Sequence, residues 1–180
     1  MSKILVDTID TRSGTSTLTL GSSNLTTLNK ASGVTANFGK IGQIVQTTKT
    51  DLFSTTSTSY VDVTGVSASI TPSATSSKIF VMLNGHSNSS QASVQIYRLK
   101  LLRDSTSIGI PSGQIFESYG VSNAPQTFST FLLDEPSTSS SVTYKLQCLV
   151  SGDTCYIGSF GPAVEAPTTL TLMEVLAWAH

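Results

Sequence analysis

Val142-Thr143-Tyr144-Lys145-Leu146 sets an apolar or aromatic residue at every second position and a polar one between. Period two is the signature of a strand with one face buried and one wet. The same beat returns on either side, in Tyr60-Val61-Asp62-Val63 and in Leu99-Lys100-Leu101. Helical periodicity is nearly absent. Turn markers punctuate the strand candidates: Thr71-Pro72-Ser73, Asn84-Gly85, Ile110-Pro111-Ser112-Gly113, Glu135-Pro136-Ser137 and Ser151-Gly152-Asp153. The spacing predicts strands over 43–49, 58–70, 77–86, 93–103, 106–110, 114–119, 126–134, 141–150, 154–160 and 168–178. Strands so punctuated read as an all-β, jelly-roll-like β-sandwich.

At 180 residues the chain suits one domain with an appendage, long enough to hold a core without staples. The appendage is the first 40 residues. Ile4, Leu5, Val6, Ile9, Leu18 and Leu20 are scattered there among Thr, Ser, Gly, Asn and Asp. Thr15-Ser16-Thr17-Leu18-Thr19-Leu20 alternates and should be extended. An extended segment too thin to bury its own apolar side chains must bury them on other copies or on a host protein. Residues 1–40 are therefore read as an extended β assembly arm and residues 41–180 as the sandwich head. Gly39 and Gly42 flank the joint.

The last candidate strand, Thr168 to Trp178, is apolar at both alternations. Such a strand is covered on both sides. Leu172, Glu174, Leu176 and Trp178 are expected at a subunit interface, with Glu174 in need of a polar partner.

Charged residues make up only 12 %, while Ser and Thr supply roughly three residues in ten. That surface is poorly charged and suits standing contact with neighbours. The net charge of −1 lacks the basic excess that phosphate contacts demand, which excludes a nucleic-acid partner. The three apolar residues after Lys3 are too few for a secretory signal, and no apolar run reaches the length of a membrane-spanning helix. Synthesis in a cytosol and no membrane insertion are expected.

No constellation for chemistry stands out. His86 beside Asn84-Gly85 reads as a loop histidine, and no His, Cys, Asp or Glu spacing matches a metal motif. The acidic residues Asp104, Asp134, Glu135 and Asp153 adjoin turn residues. Cys148 and Cys155 read as two small buried side chains, or as a disulfide across a hairpin; two ligands do not make a zinc site. Gly158-Ser159-Phe160-Gly161 reads as a turn or bulge where the backbone passes close to something. The expectation is no enzyme and no cofactor. Among the polar-tipped aromatics, Tyr119, beside Gly120, is the candidate for contact with a host-surface glycan or protein.

The opening Met1-Ser2-Lys3-Ile4-Leu5-Val6-Asp7-Thr8-Ile9-Asp10-Thr11-Arg12-Ser13-Gly14 resembles the start of virion surface proteins of tailed phages, marine and cyanobacterial ones above all. Gly42-Gln43-Ile44-Val45-Gln46, Lys78-Ile79-Phe80-Val81, Leu101 to Thr106, Val142 to Gln147 and Leu170 to Val175 resemble, in order, segments of their C-terminal domains. The resemblance implies a homotrimer located on the virion and assembled in the host cytoplasm. Ile4, Leu5, Val6, Ile9, Leu18 and Leu20 would attach the arm to a capsid or tail protein. The heads would form a knob of jelly rolls, similar to trimeric tumour-necrosis-factor-like domains. The arm meets the head with almost no shaft, which favours a short head fibre, capsid knob or compact tail appendage over a long tail fibre. Decoration of the particle and host adhesion are the implied roles. A free carbohydrate-binding jelly-roll lectin is the alternative; it would need no docking arm.

Overall fold

The structure, a computed structural model, describes residues 41–89, 95–110, 113–120, 125–161 and 164–176. The expected arm, with Ile4, Leu5, Val6, Ile9, Leu18 and Leu20, lies outside the described residues, as does Trp178.

The described chain is all strand and turn. In order it runs β1 (Ile41–Lys49), β2 (Phe53–Thr55), β3 (Val61–Ile70), β4 (Lys78–Ser89), β5 (Gln95–Arg103), β6 (Thr106–Ser107) and β7 (Gln114–Gly120). It continues with β8 (Gln126–Asp134), β9 (Val142–Val150), β10 (Cys155–Ile157), β11 (Ser159–Gly161), β12 (Val164–Glu165) and β13 (Thr168–Val175).

Four antiparallel pairs are nested one inside the next: β1 with β13, β3 with β9, β4 with β8, β5 with β7. The chain behaves as one long hairpin folded back over itself. The fold-over makes two sheets, β1-β13-β4-β8 and β3-β9-β5-β7. Short β10 and β2 continue the first sheet beside the end of β4, and β6 pairs with β5 at the end of the second. This strand order is that of a jelly roll.

The period-two beat explains what lies between the sheets. Along β9, Val142, Tyr144, Leu146, Cys148 and Val150 point inward, while Thr143, Lys145, Gln147 and Leu149 point out. Ile79, Val81 and Leu83 of β4 and Leu170 and Leu172 of β13 face them from the other sheet. In β3 the beat is broken on purpose of packing. Asp62 pairs with Gln147 and Ser67 with Lys145, a bulge centred on Gly65 at φ 88°. The extra residues let both Val63 and Val66 reach the core.

Asn84-Gly85, expected as a turn, lies in the middle of β4. The glycine serves space, not chain reversal. A Cβ there would stand 2.6 Å from the Phe128 ring and 2.7 Å from Thr168 Oγ1. His86 is accordingly a strand residue, with Nδ1 3.1 Å from Thr127 Oγ1. Gly85→Ala is expected to destabilise the head by about 2 kcal/mol through overpacking. A urea titration checks this; an unchanged midpoint would mean that Phe128 moves aside freely.

Gly158 is the close approach anticipated for its segment. At φ 81° it separates β10 from β11, and a Cβ would meet the carbonyl oxygens of Ala166 and Asp51 at 3.1 and 3.2 Å. Its N–H donates to the His86 carbonyl, and Ala166 donates to its own.

Candidate assembly face

Each sheet has an outward side, and the two differ in chemistry. On β3-β9-β5-β7 that side is polar and charged. Lys145 bonds Asp62 at 2.9 Å, Gln147 bonds the same carboxylate at 2.7 Å, and Arg98 pairs with Glu117. Lys100 lies 4.4 Å from the centre of the Tyr60 ring. Such a surface is content in water.

The outward side of β1-β13-β4-β8 is apolar over half its length. Strand register assembles it in rows. Ile44, Met173, Phe80 and Leu133 stand side by side across the four strands. The adjacent row is Gln46, Thr171, Met82 and Phe131. Ile41 and Val175 continue the patch toward one rim, where Lys78 Nζ donates to Glu135 Oε1 at 2.5 Å. On the other side the row Thr48, Thr169, Asn84 and Ser129 is polar. Phe131 is 72 % exposed, Ile44 58 % and Leu133 50 %. The Phe80 and Phe131 rings sit 6.2 Å apart on this face. Single exposed aliphatics need no explanation, but a contiguous registered patch marks an interaction surface.

Below the face, two polar clusters hold the sandwich shut. Asp134, last residue of β8, accepts from Arg103 Nη1 of β5 at 2.6 Å and from Tyr144 OH of β9 at 2.6 Å. One carboxylate thus ties one sheet to two strands of the other. Burial pushes the Tyr144 hydroxyl well above the usual phenol range, and the Asp134 charge adds to the shift. Beside this cluster a cleft of about 790 Å³ opens between β8 and the β6–β7 segment. Ile108, Ile110, Ile115 and Leu132 line it, and Phe131 and Leu133 join it to the apolar face.

The second cluster surrounds Glu174, which is 1 % exposed. Its Oε1 accepts from the Ser73 N–H and hydroxyl, both at 2.6 Å, and its Oε2 from Gln43 Nε2 at 2.8 Å. The polar partner expected for this residue is therefore a loop and the start of β1. Burial opposes ionisation, but the hydrogen bonds from Ser73 and Gln43 outweigh it and lower the carboxyl to about 2. A carboxyl depressed in the folded state stabilises fully above its unfolded pKa, about 4.3. That contribution is lost as pH falls toward 2. Thermal melts should therefore show a gap between the wild type and Glu174→Gln at neutral pH that narrows between pH 4.5 and 2. A gap constant over that range would contradict the assignment.

Of the residues expected at a subunit interface, Leu172 and Glu174 face the interior of the chain's own sandwich. Leu176 is half-buried at its end. The outward residues of β13 are the alternate ones, Thr171, Met173 and Val175, because the second sheet lies on the even-numbered side. The backbone of Tyr119 pairs with Ile96 in β7–β5, and its side chain is outside the described residues. Sequence reading did not single out Phe80, Met82, Phe131 and Leu133. The apolar run Phe131-Leu132-Leu133, with no alternation, is the one signal that could have pointed to them.

A jelly roll with one charged and one apolar outer side is the class of protein that this geometry defines. No protein-family model matches the chain, and no curated protein matches it. Among solved structures, it is similar to a chain in the structure of infectious bursal disease virus strain Gt, at 14 % identity and a TM-score of 0.42. That match covers 83 % of this chain and 43 % of the other. For strain Gx the figures are 13 % identity, a TM-score of 0.43, and 84 % and 41 % coverage. The chain spans less than half the length of the chains it matches.

Proposed function

We propose that this chain is a structural protein of a phage virion, a homotrimeric fibre or knob whose heads pack through the apolar side of β1-β13-β4-β8. The apolar face is the observation that carries the reading. An isolated head would leave Phe131, Leu133, Ile44 and Met82 in water, whereas the opposite side of the same head presents Lys145, Asp62, Gln147, Arg98 and Glu117 to it. The ordered resemblance to tailed-phage surface proteins supports placing the assembly on a particle.

Second copies of the chain are the occupant of the face. The 40 residues that precede the head join it at Ile41, on the rim of the patch. Packing the patches around a threefold axis brings three such joints together, as an arm shared between copies requires. The face carries few charges, so it offers little to recruit an oppositely charged partner. In this reading residues 1–40 attach to a capsid or tail protein, and the outward loops of the head decorate the particle or meet the host surface.

The test is incorporation. Particles assembled with a chain lacking residues 1–40 should carry no head, and particles with the full chain should carry it in multiples of three. Full incorporation without residues 1–40 would refute attachment through the arm.

A further inference from the structure

Among the described residues, the large apolar side chains that stand exposed are Ile41, Ile44, Met82, Ile110, Phe131 and Leu133. Five of them belong to the outward side of β1-β13-β4-β8. Ile110 does not. It is 55 % exposed in the cleft beyond β8, which Phe131 and Leu133 join to the face. The apolar surface therefore has two ends, on the two outer strands of one row. The β8 end is hollow, a cleft of about 790 Å³. The β1 end projects. There Ile41 stands opposite Val175 and Ile44 opposite Met173, three steps along one strand against two along the other. This bulge turns both isoleucines to the outward side, where strict alternation would send one of them inward. Among the described strands, β1 pairs only with β13, and β8 only with β4. Each end thus also carries an open strand edge.

We propose that the cleft of one head receives Ile41 and Ile44 of the next copy, so that three heads meet head to tail. This rests on the trimer reading above and specifies its contact. A threefold rotation does not pair a surface with its own copy, as a twofold does. Each contact must join two different surfaces, and three such contacts close the ring. A single flat patch suits a twofold dimer, whereas a hollow half and a projecting half, set apart on one head, suit the ring. A second copy is the occupant because it alone covers both halves. A foreign partner seated in the cleft would leave Ile41 and Ile44 in water. The cleft is also continuous with the face through which the heads pack, and the 40 residues that precede the head enter it at Ile41. Seating that residue against a neighbour starts each arm at a seam between two heads.

The test is cross-linking of the full chain with a short, two-carbon bismaleimide. Cys148 and Cys155 are free but fully buried, so engineered surface thiols are the ones that react. The double variant Ile44→Cys with Ile110→Cys should give covalent dimers and trimers on a denaturing gel. Within one head the three strand spacings from β1 to β8 already span about 14 Å, too far for this reagent. Ile44→Cys alone and Ile110→Cys alone should give no linked chains. The two single variants refolded together should give dimers and nothing larger, because each chain then carries one reactive thiol. Ile41→Cys with Leu133→Cys is the second pair, expected to give the same ladder, and thermal melts confirm that each variant is folded. Native mass, measured before the reagent is added, separates the two readings. Trimers in which either single variant links to itself, or in which neither pair links, would overturn the head-to-tail contact and leave the trimer standing. Monomers would overturn both.

Discussion

Phe131→Asp combined with Leu133→Asp is expected to convert the assembled protein to monomers while leaving the head folded. Both side chains stand on the outward side of β8, and neither belongs to the core. Replacing them costs the monomer little, since exposed substitutions away from packed features stay within about 0.5 kcal/mol. In the assembly the same change removes two apolar anchors and places two carboxylates in an apolar contact. Truncation of a central aromatic in an interface costs about 2 kcal/mol or more, and a desolvated unpaired charge adds to that. Self-association should weaken by more than about a thousandfold. Sedimentation velocity reads the oligomer and a thermal melt reads the fold. A variant that melts like wild type and keeps its native mass would remove this face from the interface.

Asp134→Ala is expected to be the most damaging change to the head itself, at about 3–5 kcal/mol. The Asp134 carboxylate is 11 % exposed and serves Arg103 and Tyr144 at once. Without it the guanidinium, itself 20 % exposed, stays largely buried with its charge unmatched, and the Tyr144 hydroxyl loses its acceptor. Tyr144→Phe removes one hydrogen bond and leaves the ion pair intact, so it should cost only about 1 kcal/mol. The ordering of the two variants in urea denaturation is the check. Equal costs would mean that the ion pair adds nothing beyond the hydrogen bond.

How much of this was legible in the sequence follows from what each element depends on. β9 was placed within a residue of its start because a half-buried strand writes its own period into the chain, and β8 was placed at 126–134, where an apolar run stands before the Glu135-Pro136-Ser137 turn. β2 and β12 were missed. Three and two residues are too short to show a period, and they exist because β10 and β11 offer an edge to pair with. Asn84-Gly85 misled because the dipeptide is a strong turn signal, while the actual demand on Gly85 comes from Phe128 and Thr168, distant in sequence.

The face shows the same limit more sharply. That β13 is apolar on both sides was readable, but which side meets the core is decided by where the other sheet lies. Leu172 and Met173 are indistinguishable by type, and only the fold sends one inward and the other out. Phe80, Phe131 and Ile44 belong to three strands far apart along the chain. Their meeting on one surface is a property of register, which no local pattern encodes.

The most direct test of the account is the native mass of the full chain, by light scattering after gel filtration. The account predicts a single species of three times the 18.9 kDa chain mass. A species of one chain mass, holding steady as concentration rises, would contradict it.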